Sequence, residues 1–245
     1  MRNIEIVASP EALAARAVAL TVAAANQAIA ARGRFMVALT GGSTPERAYT
    51  VLADAHIDWS KTYIFTEDDR DVPIDDPRSN FGLARRTLID RIDIPAGNVF
   101  PMVTTPGNPA ASAEAYIDIL RRLFPGETVP SFDMIHLGMG DDGHTASLFP
   151  GHPSVHVVDR WVVSGPPGTL PPPVDRVTFT LPLLNAARQV LFLVSGDKKA
   201  QMVHEILDEQ ASVDSHPAGG VDPLNGTVTW LLDEGAATKL VTPRG

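Results

Sequence analysis

FMVALTGGSTPERA, residues 35–48, decides how the fold is read. Phe35 to Leu39 is a short apolar run of strand length, closed off by the glycine pair Gly41 and Gly42. Ser43, Thr44 and Pro45 then open a helix, because hydroxyl side chains and proline suit a first turn whose amides have no intrahelical partner. Strand, loop and helix in that order form the unit from which α/β folds are built.

Working outward, the unit recurs. Upstream, Asn3 to Ala8 alternates as a short strand, and Ser9 caps a helix with Pro10 in its first turn and a stop at Gly33. That helix is alanine-rich, with Leu13, Val18, Val22 and Ile29 as larger groups to pack on a sheet. Downstream, strands are predicted over Thr62–Phe65, Phe132–Leu137, Val157–Val163, Val177–Leu181, Gln189–Val194 and Val228–Leu232. Helices are predicted over 79–91, 112–124 and 197–209, and from Asp233 toward Leu240. The alternation predicts an α/β fold: an open, mostly parallel twisted sheet with helices on both faces, whose strand order periodicity does not fix.

The chain has 245 residues, 44% of them hydrophobic, and no polar linker near its middle, so one domain over 1–245 is expected. The stretch SGPPGTLPPPV at 164–174 reads as a surface excursion within that domain. A formal net charge of −9 argues against nucleic acid and anionic membrane surfaces as partners. It leaves room for a small anion, because a few cations and amides inside a pocket act over distances shorter than the screening length of about 8–10 Å. The absence of cysteine removes disulfides and zinc–thiolate sites. Glu11 and Arg16 interrupt any signal-like segment near the start, and no charge-free run of membrane-spanning length occurs.

Three loops carry the chemistry. In the first, residues 39–48, Gly41 and Gly42 clear space while Ser43, Thr44 and the free amides of a helix start offer donors to phosphate oxygens. It is neither a nucleotide P-loop nor a dinucleotide fingerprint, since the required spacings are missing. A plain glycine turn with a hydroxyl cap explains the same residues. The second loop, FTEDDRDVPIDDPRSN at 65–80, holds Asp68, Asp69 and Arg70. Arg70 suits a phosphate or an oxygen that gains negative charge in a reaction, although a solvated acidic loop accounts for the composition equally well.

In the third loop, apolar FDMIHLGMG at 132–140 runs into DDGHTASLFPG at 141–151. Asp142 and His144 therefore fall just past the carboxyl end of a buried strand, where open α/β sheets expose ligands. Imidazole, with an ordinary pKa of about 6.5, takes a proton from water near neutral pH, and Asp142 would orient it or merely shape the turn. Lys198 and Lys199 begin another predicted helix, where one amine reaches an anion or both face water. His136 reads as a core histidine. His152 and His156 are four apart, but Pro153 breaks a shared helical face, which weakens a metal site built from them with His144. Ser147 lies in no nucleophile elbow.

With these loops goes a resemblance to a known family. LTGGSTP at 39–45, DDRDVPIDDPRSNFG at 68–82, GMGDDGHTASLFPG at 138–151, RVTFTLPLLNAARQVLFLVSGDKKA at 176–200, PAGG at 217–220 and WLLDEGAA at 230–237 together resemble the 6-phosphogluconolactonases, within the wider group that includes glucosamine-6-phosphate deaminases. The resemblance spans nearly the whole chain. It implies a cytoplasmic enzyme of the pentose phosphate pathway that needs no cofactor or metal and hydrolyses a phosphorylated sugar lactone, with no obligate protein partner. It also implies His144 as base, Asp142 as its carboxylate and Arg70 as a substrate or oxyanion contact. Gly41, Gly42, Ser43, Asp68 and Lys199 become substrate-binding residues, with Lys199 now preferred over Lys198. The family's Asp-Glu-Arg run stands here as Asp68, Asp69 and Arg70, which weakens a carried-over role for Asp69. The competing deaminase chemistry goes with a DGHIAFNEPG turn, whereas this chain has DGHTASLFPG at 142–151. A binding-only phosphosugar sensor would need an output module, and none is evident.

Overall fold

The computed structural model describes residues 1–103, 105–168 and 173–241, so four residues of the proline-rich stretch at 164–174 lie outside the described residues. Seven strands form one parallel sheet: β1 (Arg2–Val7), β2 (Phe35–Leu39), β3 (Thr62–Thr66), β5 (Val99–Phe100), β6 (Met134–Leu137), β9 (Gln189–Val194) and β10 (Thr227–Asp233). Their spatial order is β1-β10-β9-β6-β2-β3-β5. Three shorter strands, β4 (Asp68–Arg70), β7 (Val162–Gly165) and β8 (Arg176–Phe179), make a second, antiparallel sheet in the order β4-β8-β7.

Alternation along β2 shows how the layers form. Met36 and Ala38 enter one apolar core, while Phe35, Val37 and Leu39 enter the other, as expected of a strand whose successive side chains point to opposite faces. The second core is covered by α1 (Pro10–Arg32), α2 (Ser43–Leu52) and α3 (Asn80–Thr87), through residues such as Leu13, Tyr49 and Phe81. The first is covered by α4 (Pro109–Leu123) and α6 (Ala200–Leu207), through Tyr116, Leu120, Val203 and Ile206. The predicted helices on both faces are therefore present. In α1, Ser9 accepts from the Ala12 amide at 3.2 Å and Gly33 closes the helix at φ +73°. By length and composition α1 is apolar enough to cross a membrane; Leu13, Ala14, Ala17, Ala24, Ala25 and Ala28 are buried in the core it shares with β2.

Three predictions at the element level are corrected. The stretch 157–161 is not strand, because a 3-10 turn at Pro153–His156 precedes it and the β7 pairing starts only at Val162. The predicted strand Val177–Leu181 is shifted to Arg176–Phe179, and Leu181 with Pro182 starts the short helix α5 (Leu181–Asn185). Residues 234–240 form turns rather than a helix. Asp233 accepts from the amides of Gly196 and Ala236, and a Cβ at Gly235 would lie 2.5 Å from the Asp197 carboxylate, so the chain is folded tightly onto the β9 loop.

His136 is the core histidine its apolar neighbours predict. It is buried, stacks on Tyr49 at 5.8 Å and lies 3.0 Å from the Thr21 hydroxyl. Burial lowers its pKa to about 4. The unfolded chain, with an ordinary imidazole near 6.5, therefore binds more protons between those values. Stability rises with pH across that window, and acidification from pH 6.5 to 4 removes up to about 3 kcal/mol through this group. His136→Phe keeps the ring stack and abolishes the titration. Urea unfolding at pH 7.5 and 4.5 is expected to show a smaller acid loss in the variant; an equal loss would assign acid sensitivity elsewhere.

Candidate active site

The strand order fixes where a cleft forms. From β2 the chain proceeds outward to β3 and β5, and from β6 it proceeds the other way to β9 and β10. The loops leaving the carboxyl ends of adjacent β2 and β6 thus separate, which opens a crevice at the reversal point of the sheet. The loop after β2 is the Gly41–Gly42 turn, and the loop after β6 holds Asp142 and His144. A cavity of about 280 Å³ lies there. Gly41, Gly42, Ser43, Asp68, Arg70, His144 and Lys199 all line it, as do Asn80, Phe149 and Arg176.

The wall after β2 presents backbone donors to the cavity. Gly42 precedes α2 at φ +113°, and no side chain caps the helix start, so the first-turn amides remain free to donate. Gly41 is required by close approach: a Cβ there would fall 1.8 Å from Asn80 Oδ1. Asn80 in turn receives a bond from Arg70 at 2.6 Å and donates to Asp68 Oδ1 at 2.6 Å. Arg70 also donates to the Arg78 carbonyl at 2.8 Å. Arg70 is thereby bonded to the side chain that packs directly on the glycine turn.

The opposite wall carries the imidazole. His144 Nδ1 lies 2.5 Å from Asp142 Oδ1, which also accepts the His144 amide at 3.1 Å. With Nδ1 bonded to a carboxylate, that nitrogen holds the proton and Nε2 presents its lone pair. Burial works against the Asp142 charge, but the hydrogen bonds from the His144 ring and amide, with the ring's positive charge when it is protonated, outweigh it and bring the carboxyl to about 2. The turn is compact: Gly143 adopts φ +81°, and its missing Cβ would meet His216 at 2.9 Å. Ala146 is held at φ +51° on the cavity wall, a left-handed conformation that costs a non-glycine residue about 1–2 kcal/mol. Phe149 packs against His144 with ring centroids 4.5 Å apart. Lys199 reaches the same loop, donating to the Met139 carbonyl at 2.7 Å and pairing with Asp141 at 2.5 Å, while Lys198 is exposed and does not line the cavity.

Beneath the cleft lies an acidic floor. Asp68 is buried and accepts from Ser147 Oγ at 2.5 Å, so Ser147 is a buried support of that floor. Asp69 accepts from the amides of Arg70, Asn80 and Phe81 and from Ser79 Oγ, fixing the start of α3 from outside the cavity lining. Burial pushes its pKa up to about 6. Glu67 is wholly buried, and desolvation, with the Asp68 charge next, drives its pKa well above the usual carboxylate range. His152 and His156 turn to Ser154 and Asp214, away from the cavity lining.

The residues that sequence reasoning did not single out are Asn80, Phe149 and Arg176. All three fall inside the quoted motifs, but their relevance depends on pairings between distant segments. Arg176 is the clearest case: β8 pairs antiparallel with β4, and Arg176 is the direct cross-strand partner of Arg70.

Fold and site together define an open-sheet α/β protein whose cleft holds the uncapped start of α2 and an imidazole paired with a carboxylate. Residues 8–230 match the family model described as glucosamine-6-phosphate isomerases/6-phosphogluconolactonase. The chain belongs to that family. Among its relatives, a 6-phosphogluconolactonase of Synechocystis is 39% identical over 97% of this chain and 98% of its own length. That of Rattus norvegicus is 38% identical over 98% and 94%. The solved 6-phosphogluconolactonase of Trypanosoma brucei superposes with a TM-score of 0.87 at 33% identity, covering 98% of this chain and 99% of that one. A monomeric glucosamine-6-phosphate deaminase, 21% identical with a TM-score of 0.83 over 97% and 100%, shares the fold.

Proposed function

We propose that this chain hydrolyses 6-phospho-D-glucono-1,5-lactone to 6-phospho-D-gluconate, the lactonase step of the pentose phosphate pathway, as one cytoplasmic catalytic domain over residues 1–245. The observation that carries the reading is the single cavity with free amides and Arg70 on one wall and the Asp142-bound imidazole of His144 on the other. Relatives named 6-phosphogluconolactonase over nearly the full length support the substrate.

In this mechanism the phosphate sits against the amides at Gly41, Gly42 and Ser43, with Arg70 and Lys199 supplying positive charge. Lys199 would exchange its exposed partner Asp141 for the phosphate. Binding far from the reacting bond then holds the carbonyl in place for attack. His144 Nε2 takes a proton from water as the water oxygen bonds to the lactone carbon. The carbonyl π electrons move onto oxygen, and when they return, the ring C–O bond breaks and its oxygen takes the proton from His144. Asp142 keeps Nδ1 protonated and stabilises the transient imidazolium. General-base assistance of this kind contributes about 10²–10⁴-fold.

The test presents fresh phosphorylated lactone, the unphosphorylated lactone and glucosamine 6-phosphate to purified protein. Acid release well above spontaneous opening, fastest on the first, is expected. Ammonia from the third would instead establish a deaminase, and saturable binding without turnover a sensor.

A further inference from the structure

Two arginines face each other across β4 and β8, Arg70 opposite Arg176. Like charges at directly opposed positions on one sheet face destabilise a strand pair, so the arrangement calls for anions between or beneath them. Asp68 supplies only part of that. Its carboxylate is 3.9 Å from Arg176 and is already engaged by Ser147 and Asn80.

From this shared register the two guanidiniums take different partners. Arg70 turns toward Asn80 and the glycine turn, where its Nη1 is satisfied twice by protein oxygens. Arg176 lies over Phe149 at 5.5 Å, the ring whose centroid is 4.5 Å from that of His144. Gly168 makes room for it, since a Cβ there would stand 2.2 Å from Arg176 Nη2. Only 7% of Arg176 is exposed, it lines the cavity, and its Nε is buried without a hydrogen-bond partner among the described residues. An unpaired buried donor on a cation costs more than an ordinary missed hydrogen bond, and a ligand oxygen in the cavity would satisfy it.

We propose that Arg176 is a catalytic residue that donates to the lactone carbonyl oxygen, stabilising the oxyanion of the tetrahedral intermediate and then the product carboxylate. The inference rests on the lactonase reading and divides the two arginines between the ends of the substrate, Arg70 at the phosphate and Arg176 at the reacting carbon. The oxygen that gains negative charge when water adds is the one Arg176 faces. After the ring C–O bond breaks, that oxygen stays in the carboxylate, so the guanidinium remains paired until product leaves.

The decisive experiment measures kcat and KM for wild type, Arg176→Gln, Arg176→Lys and Arg70→Gln on the phosphorylated and the unphosphorylated lactone, with thermal unfolding as a control. Losing one oxyanion donor costs about 10²–10³-fold in kcat. Arg176→Gln is expected to lose that factor on both substrates with KM for the phosphorylated one nearly unchanged. Arg176→Lys should recover at least about tenfold of it by restoring charge without the planar fork. Arg70→Gln should be impaired on the phosphorylated substrate alone. A deficit of Arg176→Gln that vanishes without the phosphate, or appears only in KM, would make Arg176 a phosphate ligand and overturn the proposal. Should the glutamine variant not fold, Arg176→Lys at wild-type kcat on both substrates would overturn it equally. Wild-type protein that opens neither lactone would remove the lactonase reading itself, an outcome distinct from any change among the variants.

Discussion

His144→Ala is expected to lower kcat on the phosphorylated lactone by about 10²–10⁴-fold while changing KM little. Among the residues lining the cavity, only His144 has an imidazole nitrogen backed by a bonded carboxylate. Other candidates for a base are committed elsewhere. Asp68 is buried and takes bonds from Ser147 and Asn80. Lys199 is a donor, engaged with Met139 and Asp141. Ser147, fully buried, gives its hydroxyl hydrogen to Asp68. Because the glycine turn, Arg70 and Lys199 are untouched by the substitution, phosphate anchoring should survive, which is why the loss belongs in turnover. Initial rates across a substrate series, corrected for spontaneous lactone opening, decide the matter. Turnover within a few-fold of wild type would end the assignment of His144 as base.

The reading of the parallel sheet from sequence succeeded where one segment carried its own signal. Gln189–Val194 and Phe35–Leu39 are strands with the predicted bounds, because an unbroken apolar run flanked by turn residues has few other solutions in a buried sheet. Ser9, Pro10 and Gly33 marked the ends of α1 for equally local reasons. In the antiparallel sheet β7 and β8 were legible with shifted bounds, but β4 was not: Asp68–Arg70 is three charged residues, and only pairing with Arg176–Thr178 makes it strand. Residues 234–240 failed for the converse reason, a helical composition overridden where Asp233 accepts from Ser195 and Gly196 across the chain as well as from the nearby Ala236 amide. The same divide runs through the site. Gly41, Gly42, Ser43 and His144 stand at loop positions that a strand–loop–helix pattern exposes. Asn80, Phe149 and Arg176 owe their place to contacts between segments far apart in the chain, which no local pattern encodes.

Gly41→Ala is expected to lower kcat/KM on the phosphorylated lactone by about 10²-fold with little change on the unphosphorylated one. The added Cβ would lie 1.8 Å from Asn80 Oδ1 and 2.3 Å from its Cγ, so one of the two must move. Asn80 is poorly able to do so. Its side chain donates to Asp68 Oδ1 and the Asp68 carbonyl, its Oδ1 accepts from Arg70, and its amide is bonded to Asp69. If Asn80 rotates, Arg70 loses the bond that aims it toward the glycine turn. If the turn retreats instead, the amides before α2 leave the position from which they meet phosphate. Either route removes one or two charge-assisted hydrogen bonds worth about 1.5–3 kcal/mol each, which is the origin of the hundredfold figure. Overpacking of this kind also lowers folding stability by about 1–3 kcal/mol, so thermal unfolding must accompany the kinetics. The two lactones separate the causes: damage confined to the phosphorylated substrate locates the fault at the anion cradle. Equal loss on both would mean that the disturbance has travelled to the His144 turn, and the division of the cleft into an anchoring wall and a reacting wall would have to be abandoned.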